Sequence, residues 1–183
     1  MSANPPTLYE QTLVIRCQMG DEAAFEELLK WHGPRLLLFV QRMMQSSPES
    51  VADVTQDIWI AIYRALPRLL EVGKFRPWSF RIARDRIYRE YRRRRLLLQP
   101  VNDSQLADVS ESPESDATID REKLHRCLEL ISPEHREALV LRFFEEMSYE
   151  DIASATGNSV GTVRSRLHYG KEAFKKAWKG KST

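Results

Sequence analysis

Apolar residues recur every three or four positions through most of this chain, the spacing that places them on one face of an α-helix. Asp21 is the predicted N-cap of the first clear example. The apolar residues on the predicted buried side of that helix are Phe25, Leu28 and Leu29. A Gly-Pro pair at residues 33–34 interrupts the pattern, so we expect one helix to end there and another to begin just after it.

The same period predicts further helices over residues 50–66, over residues 78–95 and through the C-terminal part of the chain. Residues 96–117 lose the period and are rich in Ser, Pro and Asp, which is typical of a flexible linker. No stretch alternates as a strand would. The pattern therefore predicts an all-α protein of two small helical domains, residues 1–95 and 118–183, joined by an acidic flexible linker.

The C-terminal domain has the order of residues expected of a helix-turn-helix. Ser148 is a candidate N-cap, and Asp151 at its third position favours the positive end of the helix. Gly157 supplies the backbone freedom of the turn, and Ser159 caps the next helix.

With Val163 and Leu167 turned inward, the last helix presents short, planar and basic side chains outward. This combination suits the major groove of DNA, where such groups reach base edges and phosphates. The candidate DNA-contacting residues are Gly161, Thr162, Arg164, Ser165, Arg166, His168, Tyr169 and Lys171. The alternative is an ordinary exposed amphipathic helix, which would not need the capped helix and glycine turn before it.

The predicted helix of residues 51–66 has two distinctive sides. Its core stripe consists of Val54, Ile58, Ala61, Ile62 and Ala65. The opposite side mixes carboxylates and an amide with an isoleucine, and Trp59 and Tyr63 border it, as at a protein-binding face. The candidate binding residues are Asp53, Gln56, Asp57 and Ile60. Alternatively, Trp59 and Tyr63 belong to the core of a helix that is buried nearly all round.

The predicted helix of residues 78–95 alternates aromatic rings with guanidinium groups on its outer side. Its buried residues are Phe80, Ala83, Ile87 and Tyr91. Aromatic rings stack on unpaired bases at roughly 1–3 kcal/mol per base, and arginines neutralise the phosphate backbone. The candidate contacts to nucleic acid are Lys74, Phe75, Arg76, Trp78, Arg81, Asp85, Tyr88, Arg89 and Arg92. Alternatively, the aromatics fill the core and the arginines merely keep the surface soluble.

Charge is distributed unevenly, although the formal net charge of the 183 residues is only +2. Residues 74–95 contain ten Lys or Arg against two acids, and residues 160–183 contain seven against one. Residues 96–120 contain six acids and no basic residue. Two positive segments flanking a negative one fit a nucleic-acid-binding protein, although like-charged blocks are also common on solvated surfaces.

Little in the chain suggests catalysis. We find no phosphate-binding glycine loop, metal-ligand spacing or acid–base cluster, so we expect no enzymatic activity, no cofactor and no metal. Cys17 and Cys127 are isolated, which suits a reducing cytoplasm. No apolar run reaches membrane-spanning length and no secretory signal is evident, so we expect a cytoplasmic protein without membrane insertion.

On these residues, nearly the whole chain resembles the extracytoplasmic-function (ECF) group of bacterial RNA polymerase sigma factors. The stretch VADVTQDIWIAIYRAL is similar to region 2.2 of that family, and Asp53, Gln56 and Asp57 match its pattern. FRPWSFRIARDRIYREYRRRR is similar to regions 2.3 and 2.4. ISPEHREALVLRFFEEMSYEDIASATGNSVGTVRSRL is similar to region 4, and GTVRSRL after a glycine turn is the most specific match.

The resemblance implies a promoter-specificity subunit that performs no catalysis itself. Asp53, Gln56, Asp57 and Ile60 would bind the clamp helices of the polymerase beta-prime subunit. The basic-aromatic helix would capture the melted −10 element, and the last helix would read the −35 element. The implied partners are core RNA polymerase, through its beta-prime clamp helices and beta subunit, promoter DNA, and an anti-sigma factor.

Two residues depart from the family pattern. Asp85 stands where Asn commonly contacts a flipped −10 base, and Asp offers no amide donor. Tyr169 follows His168 where many members have Arg. The alternative function is a free-standing helix-turn-helix DNA-binding transcriptional regulator, which would bind duplex operator tightly without polymerase.

Overall fold

The computed structural model describes residues 7–44, 46–97 and 116–180, and all regular elements in these ranges are helical. The N-terminal half contains α1 (Thr7–Gln18), α2 (Glu22–Met43), α3 (Pro48–Ala65) and α4 (Phe75–Leu97), with short 3₁₀ turns at Leu66–Arg68 and Val72–Lys74. The C-terminal half contains α5 (Asp116–Glu129), α6 (Pro133–Leu139), a π-helical segment (Val140–Phe144), α7 (Tyr149–Thr156) and α8 (Val160–Gly180). The predicted all-α fold is confirmed for these ranges.

The predicted linker, residues 96–117, falls mostly outside the described residues. Its two ends are helical, because α4 continues to Leu97 and α5 begins at Asp116. Residues 98–115 are not among those described.

Local capping determines where the N-terminal helices begin. The predicted N-cap of α2 is confirmed, since the Asp21 carboxylate accepts a hydrogen bond from the Ala24 N–H at 3.1 Å. Helix α3 begins slightly earlier than predicted, because Ser47 caps it and Pro48 occupies the first helical position, where no N–H is needed.

Helix α2 runs without interruption through its Gly-Pro pair, so the predicted break is wrong. Pro34 lacks an N–H and forfeits one helical hydrogen bond. Leu28 and His32 before it and Leu36 after it are all buried, so packing on both sides keeps the helix continuous. Leu29, predicted to be buried, is 42% exposed.

The two halves pack against each other, with α4 lying against α7 and α2 reaching α6. Their buried apolar side chains form one continuous cluster. The division into two independently folded domains therefore stays a prediction, because the halves share a core in this conformation. None of the helices in the described ranges is long and apolar enough to cross a bilayer.

The π-helical segment joins α6 to the turn before α7. The N–H of Glu145 donates to the carbonyl of Val140, five residues earlier, at 3.1 Å. The chain then turns sharply at Glu146, whose φ of 54° lies in the left-handed region.

Candidate nucleic-acid interface

Helices α7 and α8 form the predicted helix-turn-helix, and its predicted caps are confirmed. The Ser148 hydroxyl accepts a hydrogen bond from the Asp151 N–H at 3.0 Å and donates to the Asp151 carboxylate at 2.8 Å. Gly157 ends α7 with a φ of 68°. The Ser159 hydroxyl then accepts the N–H of Thr162 at 3.1 Å, so each helix start has a side-chain acceptor.

Helix α8 is fixed on the C-terminal half by one buried face. Val163, Leu167 and Gly170 are buried. A β-carbon on Gly170 would lie 3.2 Å from Leu139 Cγ and 3.3 Å from the His135 carbonyl oxygen, so α6 and α8 approach closely there. The predicted outward residues that are exposed are Gly161, Arg164, Ser165, His168, Tyr169 and Lys171, and Thr162 is half-buried.

Arg166 does not lie on this open face, so the prediction that it contacts DNA is wrong in this conformation. The side chain is half-buried, and its Nη1 is buried without a hydrogen-bond partner in the protein. Its charge acts on Glu137 of α6 and on Tyr88 of the N-terminal half, where it favours the ionised form of each and so partly offsets the rise that burial causes in their pKa. The side of α8 that carries Arg166 is therefore directed toward α6 and the N-terminal half.

The far face of α3 is exposed as predicted. Asp53, Gln56 and Asp57 face solvent, and Ile60 is 40% exposed. The two bordering aromatics differ. Trp59 is only 8% exposed, whereas Tyr63 is 52% exposed. Both rings form T-shaped pairs with Phe25, at centroid distances of 5.9 and 4.9 Å. The core alternative therefore holds for Trp59 but not for Tyr63.

A groove of about 400 Å³ runs between α3 and α4. Asp53 and Asp57 lie on one wall, and Arg86, Arg89 and Arg93 lie on the other. The structure thus brings the predicted protein-binding acids beside the predicted nucleic-acid-binding helix. Sequence periodicity alone gave no reason to join them.

Helix α4 has an open side and a covered side. The open side exposes Arg81, Asp85, Arg89 and Arg92, as predicted. Arg76, Trp78 and Tyr88 were predicted to contact nucleic acid, but each is half-buried. Lys74 is exposed but occupied by an ion pair with Asp151.

The prediction that Phe75 offers its ring to unpaired bases is wrong in this conformation. Phe75 is completely buried. Its ring lies 5.2 Å from the His32 ring and 5.9 Å from the Trp78 ring, measured between centroids. Phe75 is the first residue of α4, directly after the 3₁₀ turn of Val72–Lys74, and its ring packs into the core beside His32 of α2.

A charged interface between the two halves occupies the covered side of α4, and the sequence contained no signal for it. Three acidic side chains of the C-terminal half form ion pairs with basic side chains of the N-terminal half. Asp151 lies 3.0 Å from Lys74, and Glu137 lies 3.0 Å from Arg84. Glu145 lies 3.2 Å from Arg35 and 3.7 Å from Arg76. Arg136 of α6 also donates to the Met43 carbonyl at 3.0 Å. Arg42 lies over the ring of Phe144, 4.1 Å from its centroid.

Burial opposes ionisation of the acids in this interface. Desolvation raises the pKa of Glu137 to about 7, even though Arg84 and Arg166 favour its charged form. Desolvation also raises the pKa of Glu145, against the effect of Arg35, Arg76 and Arg42. These pairs therefore join the halves at a substantial desolvation cost.

Hydrogen bonding in the interface is also incomplete. Among the described residues, buried polar atoms without a hydrogen-bond partner in the protein are concentrated there. They belong to Arg76, Arg84, Tyr88, Arg136, Glu137, Glu145 and Arg166, and His32 adds one more. The Arg84 and Glu137 atoms lie 3.0 Å apart without the alignment of a hydrogen bond. Arg84 Nε, Glu137 Oε1 and Glu145 Oε2 have an ion-pair partner and lack only a hydrogen bond. A buried polar group with no partner typically costs about 1–3 kcal/mol, so the remaining atoms leave the interface incompletely satisfied.

A second surface of the C-terminal half is apolar. A groove of about 340 Å³ opens between α5, the π-helical segment and α8. Its lining residues are Leu124, Leu128, Leu139, Phe143, Phe144, Phe174, Lys171 and Lys175. No group of three or more potential metal ligands occurs within the described part of the chain.

Comparison with known proteins matches both halves to one family. Residues 28–96 match Sigma-70 region 2, and residues 121–174 match Sigma-70, region 4. The chain is 35% identical over 181 residues to the RNA polymerase sigma-H factor of Pseudomonas aeruginosa, covering 92% of this chain and 93% of that protein. It is 31% identical over 185 residues to the ECF RNA polymerase sigma-E factor of Escherichia coli, covering 91% and 93%.

The fold also matches a solved structure. The sigma factor RpoE from Bartonella quintana, in complex with the anti-sigma factor NepR, superposes with a TM-score of 0.74 at 24% identity, over 85% of this chain and 96% of that one. The family models and the two relatives above 30% identity show that the chain belongs to the ECF group of sigma-70 factors, non-enzymatic proteins that bind core RNA polymerase and direct the initiation of transcription.

Proposed function

We propose that this sigma factor divides its work among three helices. Helix α3 binds core RNA polymerase, α4 holds the melted −10 element, and the outward face of α8 reads the −35 element. The two halves act as separate domains on the promoter, joined by the linker of residues 96–117, and the protein works in the cytoplasm.

The observation that carries the proposal is the exposed far face of α3. Asp53, Gln56 and Asp57 are solvent-exposed beside Ile60. Ile60 is apolar but 40% exposed, so it is not part of the core. Carboxylates and an amide around an apolar contact suit a protein partner. In a sigma factor the expected partner for this face is the clamp-helix region of the beta-prime subunit.

For DNA, the open side of α4 supplies Arg81, Arg89 and Arg92 to the backbone of the unpaired strand. Trp78 and Tyr88 can stack on bases once they are uncovered. Arg164 is the outward guanidinium of α8 that remains exposed, and it is the proposed bidentate contact to a base of the −35 element.

An anti-sigma factor is a further proposed partner. The fold neighbour from Bartonella quintana is a sigma factor bound to one. The apolar groove between α5 and α8 provides a surface of the kind that binds an amphipathic protein segment.

Asp57→Arg tests the docking face. We expect the variant to bind core polymerase at least about tenfold more weakly, because it reverses a charge at the proposed contact. Glu26→Arg is the matched control, since Glu26 is an exposed acid on α2, outside the proposed face. Affinity for core polymerase is measured by competition with a labelled sigma factor. Equal affinities of Asp57→Arg and the parent would reject the docking assignment.

A free-standing regulator makes a different prediction. Such a protein would protect a duplex site without polymerase, whereas the proposed sigma factor needs core polymerase to open DNA. Footprinting with and without core polymerase separates the two, because only the sigma factor gives strand opening near the start site that depends on polymerase.

A further inference from the structure

Part of the proposed −10 surface already has partners within the protein. Three of its side chains face acids of the C-terminal half. They are Lys74 with Asp151, Arg76 with Glu145, and Tyr88 with Glu137. The carboxylates of Asp151 and Glu145 thus lie where the phosphates of a bound strand would otherwise neutralise Lys74 and Arg76.

Glu145 is the acid most closely enclosed by the other half. The residue is only 2% exposed, and its carboxylate lies 3.2 Å from Arg35 Nε and 3.7 Å from Arg76 Nη2. Arg76 also donates to the Glu145 carbonyl. Because both of these ion pairs reach the N-terminal half, a change at Glu145 acts mainly on the interface.

The DNA-reading helix is drawn into the same interface. Arg166 of α8 is half-buried and acts electrostatically on Tyr88 and Glu137 rather than facing solvent. The closed arrangement therefore covers one side of α4 and one edge of α8 together. The two helices cannot take separate promoter elements while these contacts hold.

The polar part of the interface is only weakly stabilising. It holds most of the buried polar atoms that lack a hydrogen-bond partner in the described part of the chain, including both carboxylate oxygens of Glu137. Each of these groups would regain hydrogen bonds with water once the halves separate. The shared apolar cluster favours closure, and the charged layer opposes it.

We propose that the free protein is self-occluded: the C-terminal half uses Asp151, Glu145 and Glu137 to cover the side of α4 that would hold melted DNA. Nucleic acid and this interface compete for the same basic side chains, Lys74 and Arg76. The interface therefore opens before both halves engage a promoter. The inference rests on the proposed function of α4.

Zero-length cross-linking detects the closed form in the full-length protein. A carbodiimide activates the Asp151 carboxylate, and Lys74 Nζ, 3.0 Å away, displaces the activating group as a urea and leaves an amide between the two residues. Mass spectrometry of the digested protein should find this linked peptide in the parent. Its absence from the parent would overturn the proposal.

Glu145→Lys opens the interface by placing a cation among Arg35, Arg42 and Arg76. Glu146→Lys is the matched control, because it makes the same change in net charge one residue further on, at an exposed side chain. We expect the cross-link to be lost in Glu145→Lys and kept in Glu146→Lys. If Glu145→Lys lacks a cooperative thermal transition, Arg35→Glu replaces it, because it sets a second carboxylate against Glu145, and Lys30→Glu, at an exposed position of the same helix, is its control.

Binding of a short, mixed-sequence single-stranded oligonucleotide, followed by fluorescence anisotropy, then tests occlusion. Glu145→Lys should bind about threefold or more tightly than Glu146→Lys, since removal of a competing closed state raises apparent affinity. Equal affinities despite loss of the cross-link would overturn the proposal.

A third variant separates this outcome from failure of the α4 assignment. Arg92→Ala, made in the Glu145→Lys background, should weaken binding because Arg92 lies on the open side of α4. If binding is unchanged, α4 is not the binding helix, and both the proposed function of α4 and its occlusion are rejected. If Arg92→Ala weakens binding but the Glu145 and Glu146 variants agree, only the occlusion is rejected.

Discussion

Acidification from about pH 8 to about pH 6 should shift the free protein toward its closed arrangement, chiefly through Glu137. The pKa of Glu137 is about 7 in the closed interface, against an ordinary value of 4.5 for an exposed glutamate. A group whose pKa is higher in the closed state binds a proton on closing, so closure is favoured as pH falls through 7. Glu137 favours closure least above pH 7, because closing then buries its ionised carboxylate.

The magnitude follows from these two values. Over this pH range, proton linkage at Glu137 raises the ratio of closed to open protein about tenfold, or roughly 1.4 kcal/mol. The groups facing Glu137 are Arg84 and Tyr88 of α4, Arg166 of α8 and Glu134 of α6. Their effects on its charge are already contained in its pKa.

Other titrating groups in the interface do not reverse the predicted increase in closure as the pH falls. Glu145 has a raised pKa and acts in the same direction. Asp151 has a lowered pKa, so it is ionised in both states over this range. His32 has a pKa lowered to about 4 by burial and by Arg76 and Arg35, and it stays neutral.

Small-angle X-ray scattering measures the shift as a change in the radius of gyration. The parent should be more compact at about pH 6 than at about pH 8. Glu137→Gln, which resembles the protonated acid, should be compact at both and lose most of the dependence. Glu146→Gln, an exposed control, should behave like the parent. Full pH dependence in Glu137→Gln, or expansion of the parent on acidification, would refute the reasoning.

Four substitutions test the other assignments. Phe75→Ala should lower the free energy of unfolding by about 3–5 kcal/mol in urea denaturation, because the ring is fully buried; near-parent stability would make Phe75 a candidate DNA contact again. Ser148→Ala should cost about 1 kcal/mol through loss of the α7 cap, whereas Ser154→Ala, at an exposed interior position of the same helix, should not destabilise the protein. Arg164→Ala should weaken discrimination at one −35 base by roughly 1–3 kcal/mol in transcription from randomised promoters. Asp85→Asn should alter −10 preference in the same assay, since its exposed side chain gains an amide donor; an unchanged preference at either element would remove that residue from base reading.

The helix-turn-helix could be predicted from capping and turn residues alone. Its caps and turn depend on residues close in sequence, so Ser148, Gly157 and Ser159 could be assigned from their immediate neighbours. The outward side of α8 followed from helical geometry alone. The exposed face of α3 was predictable for the same reason, because Ile58 and Ile62 fix which side is buried.

Longer-range packing accounts for the errors. Pro34 was expected to end a helix by its local chemistry, but buried neighbours on both sides outweigh one lost hydrogen bond. Phe75 lies at the start of α4, where helical period does not determine burial. The partners of Arg166 lie in α4 and α6, and no property of its own helix indicates that another part of the chain covers it.

The extra residue in the π turn after α6 has an evolutionary implication. One residue corresponds to about 100° of rotation around a helix axis, so the bulge re-aims everything that follows it. In this orientation Phe144 meets Arg42, and Glu145 meets Arg35. Glu137 lies before the bulge, and Glu145 lies after it. A single-codon insertion or deletion at that spot would therefore change which of these acids meets the N-terminal half without substituting any side chain of α8, so related proteins could diverge in how firmly the halves hold each other while keeping the same residues on the last helix.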